Sequence, residues 1–216
     1  MKPEEIIVVS GLPRSGTSLM MQILQAAGVP PFTDNKRQAD DSNPKGYYEH
    51  EKIAALLSSP DKSWIKNARG TAIKVIAPLL AGLPRTLKIP DSEPEPLRYR
   101  LLFMERDMEE ILQSQSAMLQ RLGKSHVGGA QAANIGKAYR QQERYAKSWC
   151  ANRGIHAMSV SYGGLINCPD ENLRHIVAFL GATSDKIAAM RGRIEPDLHR
   201  TRKSSHCRSI AVTGQA

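Results

Sequence analysis

Aromatic residues are scarce, 5% of the 216, which leaves few rings for base stacking and weighs against a nucleic-acid-binding module. Cysteines are fewer still. Cys150, Cys168 and Cys207 are odd in number and far apart, so their spacing suggests neither a disulfide framework nor a Cys-x-x-Cys metal site. A reducing compartment is the expectation. Long apolar runs are missing too: Ile6 to Val9 is far shorter than the ~20 residues of a membrane span or the core of a signal peptide. These absences predict a cytoplasmic protein with no membrane span. Acidic residues are outnumbered by basic ones, 21 against 30, and the resulting charge of +9 draws anionic partners without saying which. Part of that charge, Arg200, Arg202, Lys203 and Arg208, lies near the C-terminus, where it serves solubility. The six histidines (His50, His126, His156, His175, His199, His206) show no ligand spacing, so no metal is expected.

What the chain does contain is an alternation of short apolar runs and amphipathic stretches. Glu5 to Ser10 is a β-branched run, and Leu19, Ile23, Leu24 and Ala27 recur at helical spacing within Ser15 to Ala27. Pro30 to Gly46 is polar and carries three prolines, too long for a plain connector, which makes it either disordered or an active-site loop. A helix is predicted from Tyr48 to Ser58, and buried strands at Thr71–Ile76 and Tyr99–Met104, separated by a Pro-rich segment, Pro84 to Pro96. Asp107 and Glu110 make a capping-box-like start for a helix to Leu122. The Gly/Ala-rich piece Gly123 to Gly136 reads as mobile, Lys137 to Ala151 as helix and Ile155 to Ser161 as strand. A last helix, Asp170 to Leu180, stops at Gly181. Strands alternating with helices predict an α/β fold, a mainly parallel sheet between two helical layers, with ligands bound beyond the carboxyl ends of the strands. One domain over residues 1–202 is expected, with a frayed tail at 203–216.

Gly11-Leu-Pro-Arg-Ser-Gly-Thr-Ser18 follows the first strand and opens the first helix, where backbone N–H groups and the helix dipole hold phosphate oxygens. Against G-x-x-x-x-G-K-[ST], both glycines and the final hydroxyl are present, but Thr17 replaces the lysine that reaches the β/γ-phosphates. A triphosphatase or kinase needs that cation. Arg14, inside the loop, is the substitute, a fork able to meet a terminal anionic group.

Pro13-Arg14-Ser15-Gly16-Thr17-Ser18 resembles the 5′-phosphosulfate loop of sulfotransferases that use 3′-phosphoadenosine 5′-phosphosulfate (PAPS), nearest in form to bacterial members and tyrosylprotein sulfotransferases. Leu101 to Asp107, with Ser114 eight residues after Arg106, resembles the strand and helix whose Arg and Ser hold the donor's 3′-phosphate. Seven steps of a helix bring Ser114 back to the face of Asp107. Val160-Ser-Tyr162-Gly-Gly-Leu165 is similar to the element in which a tyrosine lies against adenine, although Gly163 and Gly164 stand where many relatives have acids. The resemblance implies a P-loop NTPase-like sulfotransferase fold from Ile6 to about Arg202, a nucleotide donor, adenosine 3′,5′-bisphosphate (PAP) as product and no metal. Ala72-Ile-Lys74-Val-Ile76 looks like the strand that carries a lysine and then a catalytic histidine in cytosolic members, but Ile76 occupies the histidine position, and Leu19 replaces a common aromatic.

Sulfuryl transfer is an in-line displacement that needs both oxygens positioned, charge offset on the departing phosphate and a base for the acceptor's proton. Arg14, Thr17 and Ser18 are the expected charge-offsetting groups, with Lys74 in support. Glu49, in Gly46-Tyr-Tyr-Glu-His-Glu51, is the expected base and His50 the second choice. The acceptor, a hydroxyl or amine compound, is expected to be chosen by 33–46 and 123–136, which carry no readable pocket code. Two rival readings stand beside this one: a small-molecule or nucleotide kinase using Asp107 for magnesium, and a nucleic-acid binder using His199-Arg-Thr-Arg-Lys203.

Overall fold

The computed structural model describes residues 3–40, 43–87, 93–121, 123, 128–195 and 211–213. The stretch His199 to Lys203, and with it the proposed basic motif, lies outside them, as does the boundary at 202.

β1 (Glu5–Gly11) leads into α1 (Thr17–Ala26), α2 (Glu51–Ala54), β2 (Ala72–Lys74), a two-stranded antiparallel pair β3 (Thr86–Leu87) and β4 (Glu95–Pro96), and β5 (Arg98–Glu105). α3 (Met108–Arg121), α4 (Gly129–Asn152), β6 (His156–Ser161), α5 (Tyr162–Asn167), α6 (Pro169–Leu180), α7 (Ile187–Arg191) and β7 (Ala211–Thr213) follow. The main sheet has the order β2-β1-β5-β6-β7, parallel throughout except for β7.

Alternation along β1 explains the layers. Ile6 and Val8 point into a core shared with Ile111 of α3 and with Ala146 and Trp149 of α4. Ile7 and Val9 point into the other, shared with Met20, Met21 and Leu24 of α1, Ile176 of α6 and Met190 of α7. All four β1 side chains are fully buried, the signature of a strand covered on both faces. The result is the expected three-layer α/β/α sandwich. From β1 the chain goes out to β2 on one side and to β5 on the other, and such a reversal opens a crevice above the carboxyl end of the central strand.

Several boundaries differ from the sequence expectation. The helix at 48–58 shrinks to α2, because Tyr48 sits at φ 53 and the turns after Ala54 close with i−3 bonds such as Leu56 N–H to Ile53. The Pro-rich segment is not wholly irregular: Pro96 ends the two-residue β4, where its missing N–H costs little. Residues 129–136, expected to be mobile, are the first two turns of α4, alanine-rich and packed by Gly136 against Leu112. Within the stretch expected to fray, Ala211–Thr213 forms β7, which pairs with β6 at Ala157↔Thr213. Cys168 is disulfide-bonded, against the reading of the cysteine spacing, since distance along the chain is no measure of distance in the fold. Cys150 is free and buried, which pushes its thiol up to about 11. No helix among the described residues is long and apolar enough to cross a membrane.

Candidate active site

The carboxyl edge of the sheet delivers the chemistry-bearing side chains to one cavity of about 400 Å³. β1 ends at Gly11, which starts the loop. Gly11 has φ 147, and a Cβ there would stand 2.6 Å from the Met104 carbonyl oxygen. Gly16, at φ 101, is the N-cap of α1, and a Cβ on it would lie 2.4 Å from Cδ2 of Tyr162. Each glycine is therefore required twice, by backbone angle and by a close neighbour. No side chain caps α1 and no acid lies in its first turn, so its leading amides stay open for an anion.

Arg14 also adopts a left-handed backbone, φ 69. That conformation carries its guanidinium across the cavity, where Nε donates to Ser114 Oγ at 3.0 Å. Its carbonyl accepts from Arg106 Nη1 at 3.1 Å, and Arg106 Nε in turn donates to Glu110 at 2.8 Å. The Arg106 guanidinium lies 4.3 Å above the ring of Tyr162. The loop after β1, the end of β5 and Tyr162 just past β6 are thus one connected cluster. Burial lowers the pKa of Arg14, and the like charge of Arg106 adds to that. Burial raises that of Tyr162.

Across the cavity, Lys74 ends β2 with its side chain 6% exposed. Its ammonium donates to the Tyr47 carbonyl at 2.7 Å and reaches Ser18 Oγ and Glu49 Oε1, each at 3.3 Å. Burial lowers its pKa, partly countered by Glu49. A lysine thus approaches the loop from a neighbouring strand, although none lies within the loop. Both oxygens of Glu49 also accept from Arg37 Nη1, at 3.0 and 2.9 Å, and Arg37 stacks 3.4 Å over the Tyr47 ring.

Of the residues expected from sequence, Pro13, Arg14, Gly16, Thr17, Ser18, Glu49, Lys74, Arg106, Ser114 and Tyr162 line this cavity. Two do not. Ser15 is fully buried beneath the loop, its hydroxyl without a hydrogen-bond partner among the described residues. His50 stacks on Phe32, with centroids 4.5 Å apart, and its Nδ1 accepts the Lys52 N–H at 3.1 Å as the cap of α2. Asp107 is likewise engaged, its Oδ1 accepting the N–H groups of Glu109 and Glu110 at 2.9 and 3.2 Å.

Sequence reasoning missed Asn43, whose Nδ2 donates to Ser18 Oγ at 2.9 Å, as well as Arg37. Both lie in the long polar segment already marked as a possible active-site loop, which is ordered over the cavity in its described part. Lys45 of that segment pairs with Glu195 beyond α7, and both line the cavity. Nothing in the sequence pointed to Arg193 or Glu195. Among the described residues no group of three or more His, Cys, Asp or Glu is placed to hold a metal ion.

No protein-family model matches the chain, and no curated protein matches it in sequence. Among solved structures, the sulfotransferase domain of an olefin synthase from Synechococcus PCC 7002 superposes with a TM-score of 0.51 at 16% identity, over 92% of this chain and 80% of that one. The chain has a sulfotransferase-like fold. A sulfotransferase from Alicyclobacillus acidocaldarius also matches (TM-score 0.48, 15% identity, 94% of this chain and 98% of that one), as does a sugar kinase from Janibacter sp. HTCC2649 (0.45, 13%, 86% and 98%). These two superpose too loosely to weigh on either side. The sulfotransferase-like fold agrees with the resemblance that the loop, Arg106/Ser114 and Tyr162 segments carry in the sequence.

Proposed function

We propose that the chain transfers a sulfuryl group from PAPS to an acceptor hydroxyl or amine. The observation that carries this reading is the bond between Arg14 and Ser114, which joins the phosphate loop to the Arg106 element in one cavity. A donor with phosphate at both the 3′ and 5′ positions matches such a pair of linked anion sites. The open amides of α1, Arg14, Thr17 and Ser18 take the 5′-phosphosulfate, and Arg106 with Ser114 the 3′-phosphate. Tyr162 lies against the adenine.

In the transfer, the acceptor oxygen or nitrogen forms a bond to sulfur as the bond from sulfur to the bridging oxygen breaks. The electron pair leaves with PAP, whose growing charge is offset by Arg14 and Lys74. Glu49 takes the acceptor's proton. Arg37 contacts both oxygens of Glu49 and Lys74 one, which holds the carboxylate at the cavity with acceptor capacity left on Oε2 for the proton. The stacked ring and capping bond of His50 favour Glu49 over it as the base. The capping role of Asp107 argues against a magnesium-dependent kinase, for which that carboxylate was the candidate ligand.

Isothermal titration with PAP in metal-free buffer tests the reading. Saturable binding without magnesium, together with absent or weaker binding of ATP plus magnesium, is the expected result. A chain that ignores PAP and binds ATP only with magnesium is a kinase instead.

A further inference from the structure

The amino-terminal end of the sheet carries a second cavity, about 330 Å³ in volume, which shares no lining residue with the first. It gathers four basic side chains from four places: Arg85 just before β3, Arg98 at the start of β5, Arg153 at the end of α4 and His156 at the start of β6. Among the described residues none of the four is ion-paired. Glu5 pairs with Arg100 at 3.0 Å and Glu95 with Arg69 at 2.8 Å.

The cluster is held in place by its surroundings. Arg153 Nη1 donates to the Leu83 carbonyl at 2.8 Å while the guanidinium lies 4.3 Å over the Trp149 ring. The Leu97 N–H bonds the Arg85 carbonyl at 2.9 Å, which fixes Arg85 beside Arg98. The Tyr99 hydroxyl donates to the Pro84 carbonyl at 2.9 Å, so its ring stands as a wall. Burial and the like charge of Arg85 both lower the Arg153 pKa.

We infer that this cavity binds a phosphate or sulfate monoester of a small organic group. Three arginines line this one space, and forked guanidinium donors suit a tetrahedral oxyanion. Leu97, Tyr99 and Ile155 offer an apolar wall for the organic part, which a bare inorganic ion would leave unused. The site stands apart from the sulfuryl-transfer reading and does not depend on it.

Calorimetric titrations with phenyl phosphate and with phenyl sulfate test the proposal on the wild type, on Arg14→Ala and on Arg85→Ala/Arg98→Ala. Both replaced arginines at the second site are exposed, and Arg85→Glu serves as a further variant if the double one fails to fold. Saturable binding that survives Arg14→Ala but weakens roughly tenfold or more in the double variant supports the site, because charge-assisted bonds to the anion are lost. The stronger of the two probes then tells a phosphate ester from a sulfate ester. Absence of saturable binding, equal binding in the double variant, or loss of all binding in Arg14→Ala overturns it.

Discussion

Replacing Arg14 by glycine separates what this residue does for the fold from what it does for the chemistry. At φ 69 an L-residue is strained by roughly 1–2 kcal/mol, which glycine relieves. Against that relief stand about 0.5–1 kcal/mol for the greater entropy of an unfolded glycine and about 0.5–1.5 kcal/mol for the lost bond to Ser114. These contributions nearly cancel, so the unfolding free energy of Arg14→Gly should stay within ~1 kcal/mol of wild type. Turnover should behave otherwise. Removing a preorganised charge donor from the site of developing negative charge costs about 10²–10³ in rate. Urea unfolding followed by tryptophan fluorescence, alongside PAPS turnover assayed as PAP release, gives both quantities on one sample. A loss of more than ~2 kcal/mol in stability would show that the guanidinium is a strut holding the β1 and β5 ends together. Undiminished turnover would remove Arg14 from the mechanism.

Gly16→Ala should do the reverse, losing about 2–5 kcal/mol in urea denaturation, because φ 101 and the Tyr162 ring leave its methyl group no room. Glu49→Gln should lower turnover by about 10²-fold or more while PAP affinity in calorimetry moves much less, and near-normal turnover would sink the base assignment. Lys74 has a lowered folded-state pKa, so its charge opposes folding fully below that value, and the penalty fades as pH climbs to the ordinary value of 10.5. Lys74→Met should therefore gain urea stability at pH 7, with the gain shrinking by pH 10, and should turn over more slowly. His50→Ala should cost about 1 kcal/mol through the lost α2 cap yet leave turnover within about twofold in the same two assays.

The strand, loop and helix around Gly11 to Ser18 were legible because their signal is local: a β-branched strand, two glycines at fixed spacing and a helix within the next residues. Arg106 and Ser114 were legible for a similar reason, since one strand end and two helical turns fix their relation. The partners of Glu49 were not. Arg37 and Lys74 lie 12 and 25 residues away along the chain, and only the folded path of the polar loop brings them to the same carboxylate. The Gly/Ala-rich piece read as mobile because composition alone does not show that α4 starts at Gly129 and packs its Gly136 beside Leu112 of α3. His50 shows the opposite error: its place beside Glu49 suggested a second base, but the next residue on a chain leaving an extended conformation faces elsewhere.

The antiparallel closing strand has a practical bearing. β7 covers Ala157 to Ser159 on the outer side of β6, so a chain ended after residue 202 would leave those amides and carbonyls bare. A bare strand edge recruits other strands. Versions ended at residue 202 should therefore self-associate, β7 being the guard against that clumping.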